Sequence, residues 1–246
     1  MRIALIGYGK MGHAIKEIAN ERKHEIVTID PNGVADFKDI NAASLKGVDV
    51  CIEFTHPQVV LGNIEKLLRL NQKVVIGTTG WLANLTEVKQ LVAETSGTLL
   101  YSSNFSLGVN IFFKVVENAA KLIDKFDQYD VSGLEFHHNQ KADSPSGTAV
   151  SLGEILLENI KRKTKLEYNL VDRRISPEEL HFTSVRCGQI PGIHEITFDS
   201  QADTISLKHT ARNRNGFAYG AVLAAEWIKD QSGLFTLEDY INQLLG

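Results

Sequence analysis

The sequence predicts an α/β fold: a Rossmann-type doubly wound parallel sheet joined to a second, α+β domain. Three observations carry that expectation. Short apolar strands alternate with amphipathic helices through the first part of the chain. A glycine-rich turn follows the first strand directly. After Asn104 the alternation gives way to strands in succession, the pattern of a mixed or antiparallel sheet.

Taken in order, Ile3–Ile6 is a short apolar run ending in glycines, as expected of a strand buried on both faces. Met11–Glu21 carries Met11, Ile15, Ile18 and Ala19 at helical spacing. Glu25–Asp30 reads as a second strand, closed by the turn Pro31-Asn32-Gly33. Val48–Phe54 is a third strand, and the helix after Pro57 places Val60, Ile64, Leu67 and Leu68 on one face. Lys73–Ile76 and Thr98–Tyr101 are further strands, with a helix from Leu82 to Glu94 between them. Such alternation implies right-handed crossovers in a parallel sheet.

Beyond Asn104, a helical pattern runs from Val109 to Phe126 and leads into a strand, Tyr129–His137. A loop follows, then a helix from Ser146 to about Lys161, whose basic end (Lys161 to Lys165) reads as a solvated C-terminus favoured by the helix dipole. His181–Arg186, His194–Phe198 and Thr204–His209 are strand-like, and 216–229 and 237–245 are helical. The expected domains are residues 1–107 with 216–246, for the dinucleotide, and 108–215. Neither an internal repeat nor a low-complexity segment is visible.

The 246 residues, 43% hydrophobic and 23% charged, can build a sizeable core. A net charge of -4 offers no global attraction to nucleic acid or to an anionic membrane, so neither is expected as a partner. Cys51 and Cys187 are too few for a disulfide framework and lack metal-ligand spacing, so both are expected to be reduced and non-catalytic. The apolar run at the start is interrupted by Gly7, Gly9 and Lys10, too soon for a signal peptide, and no stretch is long enough to span a bilayer. The expected location is the cytoplasm.

Gly7-Tyr8-Gly9-Lys10-Met11-Gly12 matches G-x-G-x-x-G between a strand and a helix. The first glycine permits the tight turn, the second lets backbone approach a pyrophosphate, and the third lets helix and strand pack closely. Free amides at the helix start then face the anion. A glycine triplet alone marks only a turn, but the strand and helix around it point to dinucleotide binding. Asp30 ends the second strand, where an acid binds the adenine ribose hydroxyls; the bland alternative is that it caps the turn after it. A carboxylate there repels a 2'-phosphate, so NADH is the expected cofactor and NADPH a weaker one, with Lys10 available to a phosphate.

The stretch Glu135 to Ala149 gathers two histidines, a lysine and a helix start. Ser144-Pro145 fits an N-cap with proline at the first helical position. Ser146, Gly147 and Thr148 would then offer amides and hydroxyls to a carboxylate, with Lys141 adding a full charge. His137 and His138 point to opposite faces of an extended strand, and adjacent histidines chelate poorly, so no metal is expected. A strand histidine is often only a packed residue; beside a lysine and a helix start, one near its normal pKa can deliver a proton.

At these residues the chain resembles a known family. Glu135–Ala149 is similar to the E-x-H-H-x-x-K-x-D-x-P-S-G-T-A signature of dihydrodipicolinate reductases. Glu53-Phe54-Thr55-His56-Pro57 resembles the family's D-F-T-x-P, with glutamate in place of aspartate. Gly77-Thr78-Thr79-Gly80 matches G-T-T-G, and Asn104 to Asn110 resembles N-F-S-x-G-V-N. Ser184 to Gly188 with Gly192 and His194 resembles S-V-R-x-G … G-x-H, and Phe217 to Ala221 resembles F-A-x-G-A. The matches run from Gly7 to Ala221.

The resemblance implies hydride transfer from NAD(P)H to C4 of 4-hydroxy-tetrahydrodipicolinate, with loss of water, in the diaminopimelate and lysine pathway. It implies His137 as general acid, His138 and Lys141 as substrate contacts with Lys141 a second candidate donor, and Gly147 and Thr148 as holders of a substrate carboxylate. The cofactor side would comprise Gly7, Gly9, Lys10, Met11, Gly12 and Asp30, then Glu53, Phe54, Thr55, Gly77, Thr78, Thr79, Asn104 and Phe105. Residues 108–215 would bind substrate and build the contacts of a homotetramer. Two rivals stay in view: another amino-acid dehydrogenase sharing the Rossmann half, and a non-catalytic NAD-binding sensor, which leaves His137, Lys141 and Thr148 without a purpose.

Overall fold

The computed structural model describes residues 1–245. In chain order its elements are β1 (Arg2–Ile6), α1 (Lys10–Glu21), β2 (Glu25–Ile29), β3 (Val50–Glu53), α2 (Val60–Arg69), β4 (Lys73–Ile76), α3 (Leu85–Thr95) and β5 (Thr98–Tyr101). There follow α4 (Leu107–Ile123), β6 (Asp130–His137), α5 (Gly147–Asn159), β7 (Lys165–Glu167), β8 (Glu179–Arg186), β9 (Ile193–Asp199) and β10 (Thr204–Thr210). The chain ends with α6 (Asn215–Ile228), β11 (Gly233–Thr236) and α7 (Leu237–Leu245). It divides into two compact units, Met1–Leu107 with the segment from Arg214 onward, and Gly108–Asn213. Among the described residues no helix is long and apolar enough to cross a membrane.

The first unit is a six-stranded sheet of order β11-β5-β4-β3-β1-β2, parallel throughout. Its strands are buried on both faces because successive side chains feed opposite layers. Ile3, Leu5, Val50, Ile52, Val75 and Leu100 meet Ile15 and Ile18 of α1 and the alanine-rich side of α6. Ala4, Ile6, Cys51, Val74, Ile76 and Leu99 meet Val60, Ile64, Leu67 and Leu68 of α2 with Val88 and Val92 of α3. The direction of strand progression reverses between β1 and β3, so the loops after these two strands flank the switch point at which such sheets hold their ligands.

The second unit is a five-stranded mixed sheet of order β10-β9-β6-β8-β7. β9 runs antiparallel to β6 and β10, while β6, β8 and β7 are parallel to one another. Residues 131, 180, 182, 196 and 198 lie on the face covered by α4 and α5, where Phe182, Phe198 and Ile196 pack with Val116, Leu152 and Leu156. The opposite face carries Leu134 and Phe136 of β6, Val185 of β8 and Ile193 of β9, all half-buried and outside that core.

Two strands go beyond the sequence reading. β7 and β11 are short edge strands, each paired with a single neighbour, β8 and β5 respectively. The helix foreseen from Leu82 opens with a 3-10 turn, Leu82–Asn84, before α3. The basic run after α5 is not a solvated helix end. Lys163 is buried, and its ammonium donates to the carbonyls of Pro177 (2.7 Å) and Glu179 (2.8 Å) and pairs with Asp130 (2.6 Å). The burial cost of that charge is met by three acceptors.

Candidate active site

The first unit's part begins where β1 ends. Gly7 has φ +90, and a Cβ there would stand 2.2 Å from the Phe54 carbonyl oxygen at the end of β3. Only glycine fits both the conformation and the space. Gly12 packs the start of α1 onto the same turn, a Cβ there meeting the Gly7 carbonyl at 2.5 Å. Gly9 differs: it is exposed, it is the N-cap residue of α1 with no side-chain cap, and a Cβ there meets nothing within 4 Å. The helix start is thus left uncapped toward open space, as a pyrophosphate requires. Lys10 is exposed and Met11 half-buried beside it.

Asp30 does cap the turn that follows it. Its Oδ2 accepts the Tyr8 amide at 2.7 Å and its Oδ1 the Asn32 amide at 2.8 Å. The carboxylate therefore caps its own turn and braces the glycine loop, and each oxygen retains a lone pair for a hydroxyl.

Glu53 was expected to line the cofactor side, and its carboxylate turns inward instead. It is fully buried, accepting from the hydroxyls of Thr55 and Thr78 (the latter 2.6 Å) and from Asn63 Nδ2 at 3.1 Å. Burial pushes its pKa up, against the lowering effect of these donors. Thr78 is buried too, and its hydroxyl accepts the Thr55 amide at 2.7 Å. Glu53, Thr55 and Thr78 hence act as a brace joining the loops after β3 and β4. Phe105 is likewise core, tilted against Phe54 at 5.9 Å, and the Phe54 ring lies over Gly77. Thr79 is exposed, and the Asn104 carboxamide accepts the Ser106 amide at 2.9 Å.

The second unit's part follows from strand alternation. Glu135 and His137 share the covered face of β6, and register places Ser184 and Arg186 of β8, His194 of β9 and His209 of β10 on that face beside them. This end of the sheet is polar where the rest of the face is apolar. Glu135 is wholly buried and is the hub. It accepts the Ser146 amide (2.9 Å), the Ser146 hydroxyl, the Ser184 hydroxyl (2.7 Å) and Arg186 Nη2 (3.1 Å). Burial pushes its pKa up, but hydrogen bonds from His194, Ser146 and Ser184 prevail and hold the carboxyl far below its ordinary range.

His137 is 7% exposed, with Nδ1 3.1 Å from Glu135 Oε2 but not aligned for a hydrogen bond. A histidine near its normal pKa was expected here. Burial, helped by the charges of His194, Lys141 and Arg186, outweighs Glu135 and lowers it to about 4. His137 is therefore neutral at pH 7. Its ring meets His194 edge-on at 5.2 Å, and His194 Nε2 lies 3.3 Å from Ser146 Oγ.

The helix start also departs from expectation. Ser144 and Pro145 precede it, and Ser146 is the N-cap, accepting the Ala149 amide at 3.2 Å. The competing bond to Glu135 draws Ser146 inward, so its amide and hydroxyl face the protein rather than an anion. Gly147 remains exposed with open space before it, and Thr148 is half-buried. Lys141 pairs with Asp143 at 2.9 Å, and Arg186 Nη2 donates to the Asp143 carbonyl at 2.6 Å, tying this loop to the sheet. His138 stands half-buried just past β6.

Glu135, Ser184, Arg186, His194 and His209 were not singled out as site residues. Period-two alternation from His137 back to Glu135 was the available signal; the cross-strand partners needed the register. Glu135, His137 and His194 bring one oxygen and two nitrogens within 4.8 Å of one another, as a cation would need. That carboxylate is already neutralised by Arg186 and engaged by two serines. The adjacent pair His137 and His138 is not brought together on one face.

The chain matches two family descriptions that together span it: "Dihydrodipicolinate reductase, N-terminus" over residues 1–105 and "Dihydrodipicolinate reductase, C-terminus" over 108–241. A 4-hydroxy-tetrahydrodipicolinate reductase of Christiangramia forsetii is 37% identical over 249 residues, covering 99% of both chains. One of Rickettsia rickettsii is 37% identical over 232 residues, covering 94% of each. Among solved structures, a dipicolinate-bound dihydrodipicolinate reductase from Paenisporosarcina sp. TG-14 shares the fold, with TM-score 0.78 at 24% identity over 97% of this chain and 98% of that one.

Proposed function

This chain belongs to the dihydrodipicolinate reductase family, and we propose that it reduces 4-hydroxy-tetrahydrodipicolinate, with loss of water, to tetrahydrodipicolinate, using NADH. The observation that carries the reading is the loop from His138 to Thr148. It presents a lysine ammonium and an open helix start, two features suited to a dicarboxylate. The sensor alternative gives these features no purpose.

The first unit fits a dinucleotide: Gly9 and the uncapped α1 start for the pyrophosphate, Lys10 beside it, and Asp30 for the ribose. Bound there, the nicotinamide supplies the hydride. Asp30 disfavours a 2'-phosphate, which is the ground for NADH over NADPH. Phe54 on Gly77, braced by Glu53, Thr55 and Thr78, gives the nicotinamide side a fixed floor.

Gly147 and Thr148 would hold one substrate carboxylate, and Lys141 and His138 would contact the substrate, with Lys141 leaving Asp143 to do so. Hydride addition leaves electron density on the ring, which a proton must meet. His137, neutral at pH 7, holds no spare proton before substrate arrives, so Lys141 is assigned delivery and His137 an orienting hydrogen bond. The open face of the second sheet, with Leu134, Phe136, Val185 and Ile193, supports assembly as a homotetramer. Light scattering that gave a monomer mass would sink the assembly. The location remains proposed as cytoplasmic.

The decisive assay follows NADH absorbance with substrate generated in place from pyruvate and aspartate semialdehyde by a coupled synthase. Enzyme-dependent loss of NADH, blocked by pyridine-2,6-dicarboxylate, is expected, and slower loss of NADPH. No turnover from protein that binds NADH would overturn the proposal in favour of a sensor.

A further inference from the structure

Glu135 has no place in the chemistry just described, yet it accepts four hydrogen bonds in the interior of the second unit. It accepts both the amide and the hydroxyl of Ser146, so the N-cap of α5 is held from two directions. The Ser146 hydroxyl has one proton, given to Glu135, and a lone pair, given to the Ala149 amide at 3.2 Å. Its rotor is thereby locked, and the orientation of the following amides at Gly147 and Thr148 with it.

On its other side Glu135 holds Arg186 Nη2 at 3.1 Å, and the same nitrogen reaches the Asp143 carbonyl at 2.6 Å. Asp143 pairs with Lys141 at 2.9 Å. Two points between Lys141 and Gly147 are thus tied to one buried carboxylate, Ser146 directly and Asp143 through Arg186. Ser184 Oγ at 2.7 Å fixes the carboxylate itself to β8.

A structural carboxylate could satisfy one of these partners anywhere in a core. The unusual feature is that it holds Ser146 directly and Asp143 through Arg186, two points of one loop that lie between Lys141 and Gly147. We propose that Glu135 is a positioning residue: it sets the spacing between the Lys141 ammonium and the α5 amides to that of the two carboxylates of the substrate. The inference rests on the reductase reading for its ligand class, and a dicarboxylate rather than a monocarboxylate is what such a spacing selects.

The experiment compares wild type with Glu135→Gln and Ser146→Ala, each checked for folding by circular dichroism. Pyridine-2,6-dicarboxylate and its monocarboxylate counterpart, pyridine-2-carboxylate, are titrated calorimetrically in the presence of NADH. Glu135→Gln keeps size but replaces an acceptor with a donor, so half of the hub is lost. Its dicarboxylate affinity is expected to fall about 100-fold, the scale set by a misplacement near 1 Å. Ser146→Ala, which leaves Glu135 and Arg186 in place, is expected to lose about tenfold, a loss worth one hydrogen bond. Monocarboxylate and NADH affinities should stay within about twofold, and the double variant should lose less than the product of the single losses.

A merely structural Glu135 would lower the melting temperature and leave the folded fraction with wild-type dicarboxylate affinity, and that result overturns the proposal. Should Glu135→Gln fail to fold, Ser146→Ala carries the test alone, and unchanged preference for di- over monocarboxylate refutes it. Failure of the reductase reading is separable: wild type would then bind dicarboxylate without turnover, while the affinity differences among variants would still decide the role of Glu135.

Discussion

Gly7 and Gly9 stand two residues apart in the same turn, and the same substitution should break different things at each. At Gly7 an alanine must adopt φ +90 and place its Cβ 2.2 Å from the Phe54 carbonyl, a backbone atom that cannot swing away. The left-handed conformation costs about 1–2 kcal/mol, and forcing β1 and β3 apart adds about 1–3 kcal/mol. A loss near 3 kcal/mol lowers the melting temperature of a chain this size by roughly 6–12 °C. At Gly9 the backbone has φ -86, which any residue adopts, and the Cβ meets nothing. Gly9→Ala should therefore melt with wild type, yet its methyl stands at the proposed pyrophosphate site. NADH affinity should fall by about tenfold or more, since 1.4 kcal/mol of steric cost already gives that. Differential scanning calorimetry and NADH fluorescence titration read the two effects separately. A Gly7→Ala protein with unchanged melting temperature would refute the packing argument, and a Gly9→Ala protein with full NADH affinity would refute the placing of the pyrophosphate.

His137 should make stability pH-dependent. The unfolded chain takes up this proton near pH 6.5 and the folded chain only near about 4, so acidification through that window favours unfolding. The loss is absent above about pH 7 and reaches about 2–3 kcal/mol by pH 4.5. Urea unfolding of wild type and His137→Gln at both pH values checks it; equal pH slopes would show that the ring is not desolvated. Lys141→Ala removes the charge proposed to contact the substrate and should raise KM about 100-fold, the scale of a charge-assisted contact. NADH dissociation measured alongside should stay within about twofold; parallel loss of both would point to misfolding. Asp30→Asn keeps one acceptor, for Tyr8 or Asn32, but removes the charge, and should narrow the proposed preference for NADH over NADPH by about tenfold, on the scale of a desolvated like-charge contact. An unchanged ratio of kcat/KM values would move the basis of preference elsewhere.

The fold was legible because its signals are local. In the first unit each strand is a short β-rich run feeding two layers, and each helix a 3.6-residue stripe, so β4 and β5 fall on the residues that periodicity predicts. β7 and β11 were not legible, since each is a half-buried edge strand that rests on pairing with a single neighbour, β8 or β5, whereas the four-residue β4 and β5 are central and apolar. The same division runs through the site. Gly7, Gly9 and Gly12 declare themselves by spacing, and Lys141 and Gly147 by sitting around a helix start. Glu53 and Ser146 carried the right chemistry for a ligand, but whether a polar side chain faces solvent or core depends on which partners the fold brings to it.

Glu135 makes the point most sharply. From sequence it is one acid beside two histidines, and a local rule would put it with the acid–base machinery. Its partners come from positions 146, 184 and 186, and His194 stands beside it. None of these can be assigned to it without the β6–β8 and β6–β9 registers. The lowered pKa of His137 has the same origin. A histidine in an exposed strand end would stay near its ordinary value, and the same ring is lowered by burial, helped by the charges of His194, Lys141 and Arg186. The assignment of proton delivery to Lys141 therefore depends on tertiary burial rather than on residue type. The resemblance puts His137 first as acid and Lys141 second, and the desolvation of His137 is the ground for reversing that order in the proposed mechanism.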